Sequence, residues 1–330
     1  MRPRAPADQD LPARVLGAIP PASGAAVMGT GIVSVGLVLD GNTLLSLILL
    51  VIDAAMWIAL VELLPARALS DWSRFRIDLR SPTAFTSIAG TGVLGTRLTL
   101  AGWTGAGAGL EVIAVVIWLG LVPYVLHHWQ VPTIGASFIL TVCTESLGLL
   151  AAALALATHH TWLLYASLVP FGLGLVAYVA VLLRFDFRQL LVGRGDHWVT
   201  GGALAISTVT AGRIALAARH LHVLRGADAF LADLSLGLWA ATMVWLPFLV
   251  AGEIVRPRLT YNVRRWSTVF PVGMYAACSF IVGELTHTAG IIDFARVWEW
   301  VAFAVWLIVF AAMVGRAPGL LRSGEVFSQT

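Results

Sequence analysis

Trp266–Thr288 reads WSTVFPVGMYAACSFIVGELTHT. The stretch is long enough to cross a bilayer as one helix. Near its start Phe270 is followed at once by Pro271. A proline inside a helix removes one backbone hydrogen bond and bends the axis. Small residues follow: Gly273, Ala276, Ala277, Ser279 and Gly283. A bent helix carrying one large ring can hold that ring across a path. The stretch therefore predicts an inner helix of a membrane bundle, with Phe270 as the plug of a pore and related helices completing the wall.

The rest of the chain agrees with a membrane setting. Of 330 residues 58% are hydrophobic and 12% charged, with mean hydropathy +0.86. A water-soluble chain of this length could not hide that much apolar surface. Ten apolar runs are expected to span: Pro21–Leu39, Leu44–Leu64, Pro82–Leu100, Leu110–Leu126, Thr133–Ala157, Trp162–Leu183, Val199–Leu221, Phe230–Ile254, Ser267–Thr286 and Val297–Val314. Residues 1–19 read as an N-terminal tail, 20–314 as one transmembrane domain and 315–330 as a C-terminal tail. The predicted fold class is all-α integral membrane, ten helices in five hairpins.

All 21 basic residues are arginine. Sixteen of them fall in the two tails and in the gaps on one side of the predicted membrane. The other five, Arg97, Arg213, Arg219, Arg225 and Arg296, fall on or near the opposite side. Arginine excess marks cytoplasmic loops, so both termini are expected in the cytoplasm of a plasma-membrane protein. The net charge of +3 then reflects topology and gives no reason to expect nucleic acid.

Aligning the odd-numbered spans reveals a repeat. Pro21 precedes Gly29-Thr30-Gly31, and Pro82 precedes Gly90-Thr91-Gly92 at the same offset. Thr141, counted from Pro132, and Thr208, counted from Val199, stand where Thr30 and Thr91 do. The odd spans are rich in Gly, Ala, Ser and Thr. The even spans carry most of the tryptophans, including Trp57, Trp118, Trp239 and Trp306. Small residues let helices approach closely, and aromatic residues suit lipid and headgroup contact. Odd helices are therefore expected to form an inner pore ring, with even helices outside.

An anion in hydrocarbon needs a substitute for its water. Thr30, Ser34, Thr91, Thr141, Thr208 and Thr210 offer hydroxyl donors as pore lining; the bland alternative is that each hydroxyl bonds the carbonyl four residues earlier. Arg97 and Arg213 lie at one expected depth, about 22 Å along their helices. They either draw anions to an outer vestibule or pair with carboxylates, Arg97 with Glu145 and Arg213 with Glu284. Glu145 sits mid-span and is also the group a proton-coupled carrier would use. Asp53, Glu62 and Glu253 read as packing or interface groups, and Cys143 and Cys278 as buried thiols. The His127-His128 and His159-His160 pairs have no zinc spacing. With no DxxxD array or catalytic His/Asp set, neither enzyme activity nor a cofactor or metal is expected.

Two motifs carry a resemblance: Ala25-Ala26-Val27-Met28-Gly29-Thr30-Gly31, and Trp266-Ser267-Thr268-Val269-Phe270-Pro271. With ten spans, they make the chain resemble the tellurite-resistance/dicarboxylate transporter family, which includes bacterial tellurite-resistance proteins, the fungal malic-acid transporter and plant slow anion channels. The resemblance implies five hairpins around a central pore, occlusion by the phenylalanine at position 270, and a homotrimer with one pore per subunit. It implies an anion as cargo, drawn from C4-dicarboxylates, sulfite, tellurite, nitrate and chloride. The alternative on the same scaffold is a proton-coupled C4-dicarboxylate (malate) transporter.

Overall fold

The computed structural model describes residues 21–192, 195–257 and 261–323. Among them are ten substantial helices: α1 (Gly24–Leu39), α2 (Thr43–Ser70), α3 (Thr86–Leu100), α4 (Thr104–His127), α5 (Ile139–Thr158), α6 (Thr161–Leu182), α7 (Trp198–His220), α8 (Ala227–Val255), α9 (Trp266–Thr286) and α10 (Ala289–Ser323). Eight are long and apolar enough to cross a membrane. The shorter ones, α1 and α3, are each led in by a 3-10 turn that begins on a proline of the repeat, Pro21–Ser23 and Pro82–Phe85. No strand forms among the described residues; Thr133 and Phe185 make an isolated bridge.

Several outer helices outrun the predicted spans. Helix α2 continues through Pro65 to Ser70, beyond the predicted end at Leu64. Helices α4 and α8 likewise run through Pro123 and Pro247. One proline removes one hydrogen bond from a long helix, and packing on neighbours holds the remainder. Helix α10 passes Val314, so the segment 315–330 begins inside a helix. The N-terminal tail expected over residues 1–19 lies outside the described residues.

The five odd-numbered helices close a ring. Helix α1 packs on α3, α3 on α5, α5 on α7, α7 on α9, and α9 back on α1. Each also packs on the even-numbered helix that follows it in the chain. Each even-numbered helix leans in turn on the odd helix of the next pair: α2 on α3, α4 on α5, α6 on α7, α8 on α9 and α10 on α1. The result is a pinwheel. Burial follows the layers: 94% of the apolar window of α9 is enclosed, against 17% for α8.

Small residues account for the tight inner ring. A methyl added at Gly24 of α1 would meet the Thr86 backbone of α3 at 2.5 Å. One added at Gly202 of α7 would meet the Pro271 ring of α9 at 2.8 Å. Without a hydrophobic force between helices in lipid, close backbone approach is what supplies the packing energy.

The outer layer is tied to the inner one by indole hydrogen bonds. Trp57 of α2 donates to Thr91 of α3 at 2.9 Å, and Trp118 of α4 to Thr144 of α5 at 2.9 Å. Trp239 of α8 donates to Ser279 of α9 at 2.9 Å, and Trp306 of α10 to Thr30 of α1 at 3.0 Å. Each of these four bonds runs from an outer helix to the inner helix of the next pair. From α6 to α7 no such indole bond is present among the described residues; Tyr178 of α6 instead accepts from Trp245 of α8 at 3.1 Å.

Candidate functional site

All five inner helices meet around one narrow axial cavity. Helix α1 contributes Ile32, Val35 and Leu39; α3 contributes Val93 and Thr96; α5 contributes Leu149. Helix α7 adds Val209 and Arg213, and α9 adds Ala277 and Ile281. The space is about 10 Å³, on the scale of one water molecule. Its wall is apolar apart from the Thr96 hydroxyl and the Arg213 guanidinium. Thr96 donates its own hydroxyl hydrogen to Gly92 O at 2.9 Å.

Phe270 is completely buried. It precedes Ala277 by seven residues, two turns of helix, so the two share one face of α9 about 10 Å apart. Ala277 faces the cavity, and Phe270 therefore continues the same stripe toward the end of the bundle where the inner helices begin. The neighbouring Pro271 packs on Gly202 of α7. One residue further on, the Val272 carbonyl accepts a hydrogen bond from Trp298 Nε1 of α10 at 3.1 Å.

The six hydroxyls singled out in the sequence do not line this cavity. Thr30 and Thr91 turn outward and accept the indole bonds of Trp306 and Trp57. Ser34 exchanges bonds with Ser46 of α2, each hydroxyl donating to the other's backbone carbonyl. Thr208 and Thr210 donate to the carbonyls four residues earlier, Leu204 O and Ile206 O, both at 2.9 Å. Thr141 is buried, and its hydroxyl has no hydrogen-bond partner among the described residues. At Thr30 and Thr91 equal offset in the repeat marks equal docking onto an outer tryptophan, whereas Thr141 and Thr208 at the same offset receive no indole bond among the described residues.

The two arginines part company. Arg97 is 1% exposed, and its Nε donates to Ser34 Oγ at 3.1 Å and Ser46 Oγ at 2.9 Å, between α1, α2 and α3. The expected Arg97–Glu145 pair does not form. Glu145 Oε1 accepts from Ser207 of α7 at 2.9 Å, and its side chain lies against Gly174 of α6. Arg213 does reach the axial cavity. Glu284 acts on it electrostatically without an ion pair within 4.0 Å among the described residues.

Two groups, Thr96 and Glu299, escaped the sequence reading, and a third, Asp53, reads in sequence as a packing or interface group. Thr96 lines the cavity, but the Gly-Thr-Gly repeat drew attention to Thr91, which does not. Asp53 of α2 and Glu299 of α10 are fully buried, lie against Gly31 and Gly36 of α1, and have carboxylate oxygens without hydrogen-bond partners among the described residues. Asp53 had been read as packing, and Glu299 sits unremarked in a tryptophan-rich run. Their glycine contacts are the only cue, and those become visible in three dimensions alone.

Comparison with known proteins agrees with a membrane protein. Two uncharacterized membrane proteins of Mycobacterium tuberculosis are each 37% identical to the chain over 161 residues, covering 44% of it and 77% of each relative. Residues 18–314 match the family described as voltage-dependent anion channel. That span takes in both motifs, the closed ring of inner helices and its axial cavity; the chain is a multi-pass membrane protein and belongs to the voltage-dependent anion channel family.

Proposed function

We propose that the protein is a passive or weakly coupled anion conduit whose path follows the axis of the inner ring, with Phe270 as its gate. The observation that carries this reading is the convergence of all five inner helices on one constricted cavity, with Phe270 on the stripe of α9 that faces it. In this reading ten helices cross the membrane as five hairpins. Arg213 supplies the positive charge that favours anions over cations. A ring filling so narrow a path blocks hydrated ions by bulk and by dewetting. Pro271 against Gly202 fixes the height of the ring.

The same reading places the protein in the plasma membrane with cytoplasmic termini, assembled as a homotrimer. Its cargo is a small anion from the set of chloride, nitrate, sulfite, tellurite and C4-dicarboxylates. Without coupling, an inside-negative potential drives such anions outward, at about 2.3 kcal/mol per charge per 100 mV. Glu145 lies off the axis against α6, so no observation favours proton coupling through it.

Purified protein in liposomes tests the gate. Phe270→Ala is expected to raise chloride or nitrate efflux at least tenfold over the wild type. Equal efflux from folded, inserted protein of both kinds would remove Phe270 from the path. Repeating the assay with malate, sulfite and tellurite, with and without a pH gradient, identifies the cargo and detects coupling.

A further inference from the structure

A second cavity opens sideways, away from the axis. It is a groove of about 530 Å³ between α8, α9 and α10. Its walls are apolar: Val250 and Ile254 on α8, and Val301, Val305 and Ile308 on α10. Along α10 it runs from Trp298 to Ala312, about 21 Å of helix. Val301 and Ile308 are exposed, so the groove is open toward lipid.

One end is chemically different. There Tyr261, Arg265 and Glu253 line the groove. Arg265 Nη1 is 3.3 Å from Glu253 Oε1, and Trp198 Nε1 donates to Glu253 Oε2 at 3.3 Å. Arg316 donates to the Tyr261 carbonyl, and its guanidinium lies 5.7 Å from the centre of the Tyr261 ring. Arg256 and Arg264 are exposed in the same connection. Arg265 and Arg316 thus flank a mouth that, among the described residues, is lined by one carboxylate, already engaged. This is the arginine-rich end of the bundle, where α8 and α10 finish and α9 begins.

We propose that this groove binds an anionic phospholipid of the adjoining leaflet, with its phosphate at Arg316 and Tyr261 and an acyl chain along Val301–Ile308. The amphiphile is matched in both parts. Guanidinium forks suit phosphate oxygens, and an interfacial arginine excess favours anionic over zwitterionic headgroups. The apolar trough lies at the depth of the acyl chains, and its volume falls in the range of small-molecule sites. The groove also reaches Thr268 and Val272, on either side of Phe270 and Pro271, so the lipid would rest on the same helix as the aromatic ring.

The test is independent of conduction. The full chain, stripped of lipid in neutral detergent, is heated with phosphatidylglycerol or with phosphatidylcholine. Phosphatidylglycerol is expected to raise the unfolding midpoint by about 5 °C, and phosphatidylcholine to leave it unchanged. Native mass spectrometry should retain one phosphatidylglycerol per chain. Arg316→Gln, and separately Ile308→Trp, which fills the trough, should each abolish the shift and the bound lipid; Val301→Trp serves if Ile308→Trp misfolds. An equal response to both lipids overturns the proposal, as does an undiminished response in the variants. So does loss of a subunit contact in Ile308→Trp, which would assign the groove to a second copy of the chain.

Discussion

Arg97 stands 15 residues after Pro82, and Arg213 stands 15 after Trp198. In sequence they are interchangeable; in space one is caged between helices and the other faces the axis. The difference sets opposite expectations for the same substitution. An anion on the axis about 8 Å from a guanidinium gains ~2 kcal/mol at an effective dielectric near 20. Arg213→Gln in a Phe270→Ala background should therefore cut chloride efflux by roughly thirtyfold. Arg97→Gln in that background should leave efflux per folded molecule unchanged and lower stability by about 1–3 kcal/mol, because Ser34 and Ser46 lose the donor they share. Liposome efflux normalised to folded protein, with denaturant titration alongside, separates the two outcomes.

At the scale of helices, the fold depends on how each outer helix registers on the next inner one. The indole bonds from Trp57, Trp118, Trp239 and Trp306 set that register at four of five places. Hydrogen bonds between membrane helices contribute about 0.6 kcal/mol on average and up to about 1.7. A double-mutant cycle of Trp306→Phe and Thr30→Val should yield a coupling energy in that range, and so should Trp57→Phe with Thr91→Val. Steric trapping or denaturant titration in micelles provides the readout. A coupling near zero for both pairs would mean that packing alone sets the register. The odd seam, α6 on α7, carries the Glu145–Ser207 bond nearby where the other seams carry an indole.

Across the whole molecule, five inner helices close because small residues let them. Gly24 shows the requirement most sharply, since a methyl there would collide with backbone atoms of Thr86, which have little room to retreat. Overpacking of this kind costs about 1–3 kcal/mol. Gly24→Ala is expected to lower the unfolding midpoint by several degrees. Gly105→Ala is the control, because nothing lies within 4 Å of a methyl added there. The same closure leaves an axial space of about 10 Å³, and in the proposed mechanism Phe270 blocks the path about two helical turns away from it.

Sequence alone determined the membrane setting and the separation of inner from outer helices, because both follow from composition averaged over whole spans. It also singled out Phe270–Pro271, since a bulky ring beside a helix-bending residue is a local feature. It did not anticipate the indole bonds at Thr30 and Thr91, while its alternative, a bond to the carbonyl four residues earlier, holds at Thr91, Thr208 and Thr210. Thr30 and Thr91 recur at one offset because each docks an outer tryptophan, and a periodic signal gives the face of a helix without naming what that face meets. Only the tertiary structure decided which arginine reaches the axis, that Glu145 bonds Ser207 instead of Arg97, and that Thr96 lines the cavity. Those choices depend on the rotation of each helix within the ring. Rotation is set by contacts between residues far apart in the chain, which neither span hydropathy nor offset encodes.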